Sequence, residues 1–249
     1  MAALADQVAG FIPHKSQEGT QLPLILLTMV IDDSYSMTHY GNGMAVMEGH
    51  NMVLDGLTAS PGAPAYLVKT RYMHGRTLAQ GYLPLNLAPR MTLANYTLIG
   101  GTPLFRSSRR TLGHVKRRTQ QYAEEGHDAF SMTLFLNDGW NRESRRRNAT
   151  AKDVCDIAEP MIATGRHIVA GLGVANEHAD FYEVFLSMGI PKQWILTLRD
   201  HIQINAAFAG FIRLAARSSD PIGFRETVAE GFSNTSLAGD KPTKQSPPQ

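Results

Sequence analysis

Short apolar runs and amphipathic stretches alternate along this chain. Leu22 to Ile31 is almost wholly apolar, and Tyr66 to Tyr72, Phe130 to Asn137, His167 to Val174 and Trp194 to Leu198 repeat the theme at shorter length. Apolar runs of this size, bounded by polar and turn-forming residues, predict buried strands. Between them lie helical patterns. Met44 to Leu57 reads as a helix that ends near the breaker Thr58-Ala59-Ser60-Pro61-Gly62. Leu104, Ser108, Leu112, Val115, Thr119 and Tyr122 recur at spacings of three and four, predicting a helix that stops near Glu125 before Gly126. Ala151 to Thr164, Asp180 to Met188 and the amphipathic Ile202 to Ala216 complete the helical set. Strands alternating with helices imply an α/β fold, with a mostly parallel sheet covered on both faces.

The polar residues that interrupt this pattern carry the candidate chemistry. Directly behind the first apolar run stands Asp32-Asp33-Ser34-Tyr35-Ser36, which places a carboxylate and two hydroxyls at alternate positions in a strand-end loop. Gly100-Gly101-Thr102 offers a further hydroxyl just before the second helix, and the strand from Phe130 ends in Asn137-Asp138-Gly139. Ligands of parallel sheets bind beyond the strand carboxyl ends. Asp32, Ser34, Ser36, Thr102 and Asp138 are therefore expected to meet at one end of the sheet. Carboxylate and hydroxyl oxygens suit a hard divalent cation such as Mg²⁺ or Mn²⁺.

In these residues the chain resembles the von Willebrand factor type A (VWA) family, whose metal-ion-dependent adhesion site combines an Asp-x-Ser-x-Ser loop, a later threonine and a later aspartate. The resemblance covers roughly residues 20–220. It implies a Rossmann-like, doubly wound sheet with one antiparallel edge strand, for which Arg76 to Leu87 is the candidate. It also implies that the five residues hold the metal and that a partner protein's Asp or Glu completes its shell. Asp33 and Tyr35 stand where the family usually has small residues, and Asn137 replaces a usual threonine. The architecture and the closing helix around Phe208, Phe211 and Ile212 look most like the stand-alone bacterial, tellurite-resistance-associated subgroup. VWA proteins of the bacterial cytoplasm commonly act as scaffolds beside enzymes.

Composition narrows the alternatives. The chain has 249 residues, 43% of them hydrophobic, with a formal net charge of +2, which describes one globular domain without an overall demand for nucleic acid. Residues 1–19 are expected to extend from a domain over 20–220, and 221–249 to form a flexible tail, most polar from Ser233 onward. The single cysteine, Cys155, leaves no intramolecular disulfide and reads as a small core residue. The longest apolar run is about half a membrane span and no signal peptide is visible, so a cytoplasmic location without membrane contact is expected. Gly171-Leu172-Gly173 lacks the rest of a nucleotide loop and predicts close backbone packing instead.

Basic residues concentrate between 102 and 147, where ten of the chain's 24 Lys and Arg face five acids. Arg142, Arg145, Arg146 and Arg147 follow Asp138 closely and, with Trp140 and Tyr35, form the expected partner-binding rim. Binding of nucleic acid through the 106–147 region is the alternative reading. A Mg²⁺-dependent phosphatase with Asp32 as nucleophile is a further one, but that chemistry needs an acid two residues on, where this chain has Ser34. No catalytic set converges, and the chain is read as a binding module rather than an enzyme.

Overall fold

Two strands that lie buried along their whole length form the middle of the sheet, as expected where both faces are covered by helices. These are β1 (Leu24–Ile31) and β4 (Ala129–Asn137). With β2 (Ala65–Tyr72), β3 (Leu83–Pro84), β5 (His167–Val174) and β6 (Ile195–Leu198) they make a six-stranded sheet of order β3-β2-β1-β4-β5-β6. The computed structural model describes residues 23–60, 65–138, 149–174, 180–198, 201–217 and 221–232. All strand pairs are parallel except β2 with β3.

The antiparallel edge is shorter than the span from Arg76 to Leu87 expected for it. Only Leu83 and Pro84 pair with β2, joined by an isolated bridge between Thr77 and Arg71. Pro84 has no N–H to give a further neighbour, which suits it to an edge and ends the ladder there.

Helix α1 (Asn42–Thr58) packs against α5 (His201–Arg217) on one face of the sheet. Helix α2 (Leu104–Glu124) packs on the other face against α3 (Ala151–Ala163), which in turn meets the short α4 (Phe181–Ser187). The α2 positions picked out by their spacing, from Leu104 to Tyr122, are all buried. At α4 the two glycines of β5 explain themselves. A Cβ on Gly171 would lie 2.6 Å from the Phe185 ring, and one on Gly173 would lie 2.3 Å from Phe181 Cβ. The Gly-Leu-Gly string is thus a packing feature that lets a helix sit against the strand.

Two expectations need correction. Residues beyond 220 are not all tail, because Pro221–Glu230 forms helix α6. Its Phe224 is fully buried against Phe130 of β4, ring centroids 4.6 Å apart, and Phe232 packs edge-on to Trp194. One aromatic anchor at each end attaches an otherwise polar segment to the core. Cys155 is only half-buried, near Gly189, rather than a full core residue. Residues 1–22 and 233–249 lie outside the described residues.

Candidate metal centre

Register places the site. β1 and β4 are adjacent and in step, with Ile31 opposite Leu136, so Asp32 and Asp138 leave the sheet side by side. The chain goes from β1 to β2 on one side of the sheet and reaches β4 on the other. The gap beyond β1 and β4 is therefore the topological switch point where open α/β sheets receive ligands.

Hydrogen bonds tie the loop residues together. The Asp32 N–H still donates to Leu136 O at 2.9 Å, and Asp32 Oδ1 accepts the Ser34 N–H at 2.8 Å, which curls the loop back over the strand end. The Ser34 and Ser36 hydroxyls are 2.8 Å apart, and Ser36 donates to Asp138 Oδ1 at 2.6 Å. Thr102 Oγ1 donates to Asp32 Oδ2 at 3.3 Å. All five residues singled out in the sequence meet in one cluster. Asp32, Ser34, Thr102 and Asp138 are buried, whereas Ser36 is half-buried and Tyr35 is 62% exposed, so the cluster opens to solvent on the serine side.

Two supporting features were missed. Asn42, the first residue of α1, donates to Asp138 Oδ2 at 3.5 Å, and its own buried Oδ1 has no partner. Asp33 is fully buried and faces away from the cluster. Its Oδ1 accepts from the His74 backbone N–H at 3.1 Å and lies 2.7 Å from His74 Nδ1, while its Oδ2 accepts from Arg76 Nη2 at 3.1 Å. Arg76 also donates to Thr97 O, and the Ile99 N–H donates to Asp33 O at 2.6 Å. This lattice fixes the loop that delivers Thr102. Gly100 is part of it: its φ is +62°, a left-handed value that glycine adopts freely, and a Cβ there would press on His74 at 3.1 Å. Nothing in the sequence links Asp33 to residues some forty positions away, although a second acid behind a buried strand was itself a signal that it needed partners.

The electrostatics are those of an unneutralised pair. Burial, then the charge of Asp138, pushes the Asp32 carboxyl up from 3.8 to about 7, against the lowering effect of its bonds from Ser34 and Asp138. Two crowded carboxylates and three hydroxyls form an all-oxygen donor set. Among the described residues no three His, Cys, Asp or Glu converge, so no nitrogen or sulfur cage competes with it. The donor set fits a hard divalent cation, whose charge would offset the burial and the repulsion from Asp138 that together raise Asp32.

No family model and no curated protein matches the sequence. Solved structures do match the fold. The pilus adhesin SpaC of Lactobacillus rhamnosus GG is similar over 80% of this chain with a TM-score of 0.57 and 13% identity. The proximal thread matrix protein 1 of the mussel byssus is similar over 78%, with a TM-score of 0.50 and 14% identity. The fold is of the VWA type. The chain spans 31% of SpaC and 48% of the byssus protein. The expected rim is only partly in view: Tyr35 stands exposed beside the cluster, whereas Trp140, Arg142, Arg145, Arg146 and Arg147 lie outside the described residues. Among the described residues no helix is long and apolar enough to cross a membrane.

Proposed function

We propose that this VWA domain is a divalent-metal-dependent protein-interaction module. The observation that carries the proposal is the convergence of two buried carboxylates and three hydroxyls at the switch point, with one side open to solvent. Asp32, Ser34, Ser36, Thr102 and Asp138 would hold Mg²⁺ or Mn²⁺. The bound ion would supply a positive charge that accepts one more oxygen, and a partner's Asp or Glu is the proposed donor. This chain's residues hold and orient that site. Asn42 braces Asp138, the Asp33–His74–Arg76 lattice braces the Thr102 loop, and exposed Tyr35 offers an amphipathic contact beside the opening. The arginines after Asp138 are proposed to pair with neighbouring acids on the partner and to steer its approach.

We read the site as binding rather than turning over a substrate. The position two residues after Asp32, where a phosphatase of the aspartate-nucleophile type needs its acid, carries the Ser34 hydroxyl, which is committed to Ser36. The proposed setting is the cytoplasm, where the lone Cys155 stays reduced. The closing helix with buried Phe208 and Phe211 supports likeness to the tellurite-resistance-associated subgroup. The test is capture of partners from native lysate by wild type and Asp138→Ala, with Mg²⁺ or after chelation. Partners lost in both the variant and the chelated sample support the reading; partners retained unchanged in both contradict it.

A further inference from the structure

The basic residues of α2 have a function of their own to explain, because they do not stand alone on the helix surface. Alternation along β2 sends Thr70 to one face, where it meets His50 Nε2 at 2.8 Å, and Tyr66 to the same face, where its hydroxyl donates to Ala215 O. Leu67, Lys69 and Arg71 therefore point to the α2 face. Two charged residues in the middle of a strand are unusual. Here both are buried, Lys69 and Arg71 each being 8% exposed.

Their surroundings are cationic and aromatic. Lys69 Nζ lies 5.8 Å from the centre of the Tyr82 ring, and Tyr82 stacks on His114 of α2 at 6.1 Å. Lys69 donates one long bond, 3.4 Å, to Gln80 O. The Arg71 guanidinium makes no hydrogen bond or ion pair among the described residues, and its buried Nε is unpartnered. The side chains of Arg110 and Arg117 on α2 likewise make none among the described residues. The charges felt most strongly at Lys69, Arg71 and His114 are all positive. Burial, then Arg71, Arg118 and Arg110, lowers the Lys69 ammonium, and burial with Lys69, Arg118, Arg117 and Arg71 pushes His114 down to about 4. A protein does not bury a guanidinium without a partner at no cost.

We propose that the cationic cluster where β2 faces α2, made of Lys69, Arg71, Arg110, His114, Arg117 and Arg118, binds the phosphoryl group of a small anionic ligand. A carboxylate would neutralise only one of these cations. A phosphoryl group carries more charge on oxygens that point in several directions, so the guanidinium forks of a strand and a helix can share it. The buried depth of Lys69 and Arg71 favours a compact anion over a broad duplex surface. The cluster shares no residue with the metal centre, so its anion binding does not rest on that site's proposed function.

The experiment uses the full chain, freed of metal on a chelating resin, with pyrophosphate followed by calorimetry at low ionic strength. Binding is expected in wild type and in Asp32→Asn, which separates this site from the metal centre. Arg110→Gln with Arg117→Gln, both at exposed positions, should weaken it by roughly tenfold or more. Arg71→Gln should abolish it, with the melting temperature recorded to show that the variant folds. Failure of pyrophosphate to bind wild type would overturn the proposal, as would unchanged affinity in the double variant. Citrate binding as tightly as pyrophosphate would reduce the cluster to a general charge effect. A short single-stranded oligonucleotide binding far more tightly, and lost in the same variants, would assign it to nucleic acid instead.

Discussion

Asp32 and Asp33 are neighbours in the chain, both fully buried behind the same strand, and they do opposite work. Asp33 is internally satisfied: the His74 backbone and ring and the Arg76 guanidinium occupy both its oxygens. Asp32 has hydroxyls and an N–H around it, but the nearest influential charge is another carboxylate, Asp138. A buried carboxylate with a built-in cation serves the structure. One whose surroundings leave the countercharge out is arranged to receive it from elsewhere. The half-buried Ser36 side shows where that charge would enter.

Breaking the Asp33 side should have the largest effect. Asp33→Ala leaves Arg76 and His74 facing a void, and the loss of one member of a buried pair typically costs 3–5 kcal/mol. Because Arg76 is 40% exposed and can be rehydrated, a loss near the lower end, about 3 kcal/mol, is expected by denaturant unfolding. A change within 0.5 kcal/mol would mean that the lattice does not hold the loop.

The Asp32 side should respond in the other direction. With no metal present, Asp32→Asn removes an unfavourable buried charge, and at pH 8 the variant should be more stable than wild type by roughly 2 kcal/mol or more. The sign follows from the raised carboxyl. The wild-type side chain favours folding most below 3.8, and that contribution is lost as pH rises toward about 7. The gap between Asp32→Asn and wild type should therefore widen from pH 4 to pH 7 and level off above it. His50 and His167, which burial holds down to about 4, act oppositely, losing stability as pH falls from 6.5 toward 4. They are common to both proteins and cancel in the difference. A gap that is flat across this range would remove the crowding of Asp32 from the account.

Smaller effects come from the hydroxyls. Thr102→Val keeps the shape but deletes the bond to Asp32 Oδ2, and Ser36→Ala deletes the bridge to Asp138. Each should cost about 1 kcal/mol in the metal-free protein. Each should also weaken Mn²⁺ binding in a titration without abolishing it. Either variant binding Mn²⁺ as tightly as wild type would remove that hydroxyl from the ligand set.

What the sequence disclosed follows from where polar residues interrupt apolar ones. Asp32, Ser34, Ser36 and Asp138 stand out because they end strongly buried runs, and Thr102 because it precedes a clean helical repeat. The parallel order of the central strands could be read from their unbroken apolar character. Asp33 was legible as present but not as a brace, since its partners come from a turn after β2. Helix α6 was hidden because Phe224 is nearly its only deep anchor in a polar stretch, and burial by one aromatic leaves no periodicity. Lys69 and Arg71 stand at alternate positions of β2, a pattern that suggests a solvated face, yet both are buried. The aromatic and basic neighbours supplied by α2 and the edge appeared only when the sheet was assembled.

The contrast between the two aspartates is tested most directly by titrating Mn²⁺ calorimetrically at pH 8 into wild type, Asp32→Asn and Asp33→Asn. Asp33→Asn is chosen because its one amide oxygen can still accept from the His74 backbone, while only the contact to Arg76 is lost. Wild type should bind one ion, Asp33→Asn should bind one with affinity within about tenfold of wild type, and Asp32→Asn should bind none. Stoichiometric binding that survives in Asp32→Asn, or that disappears in a folded Asp33→Asn, would contradict that contrast.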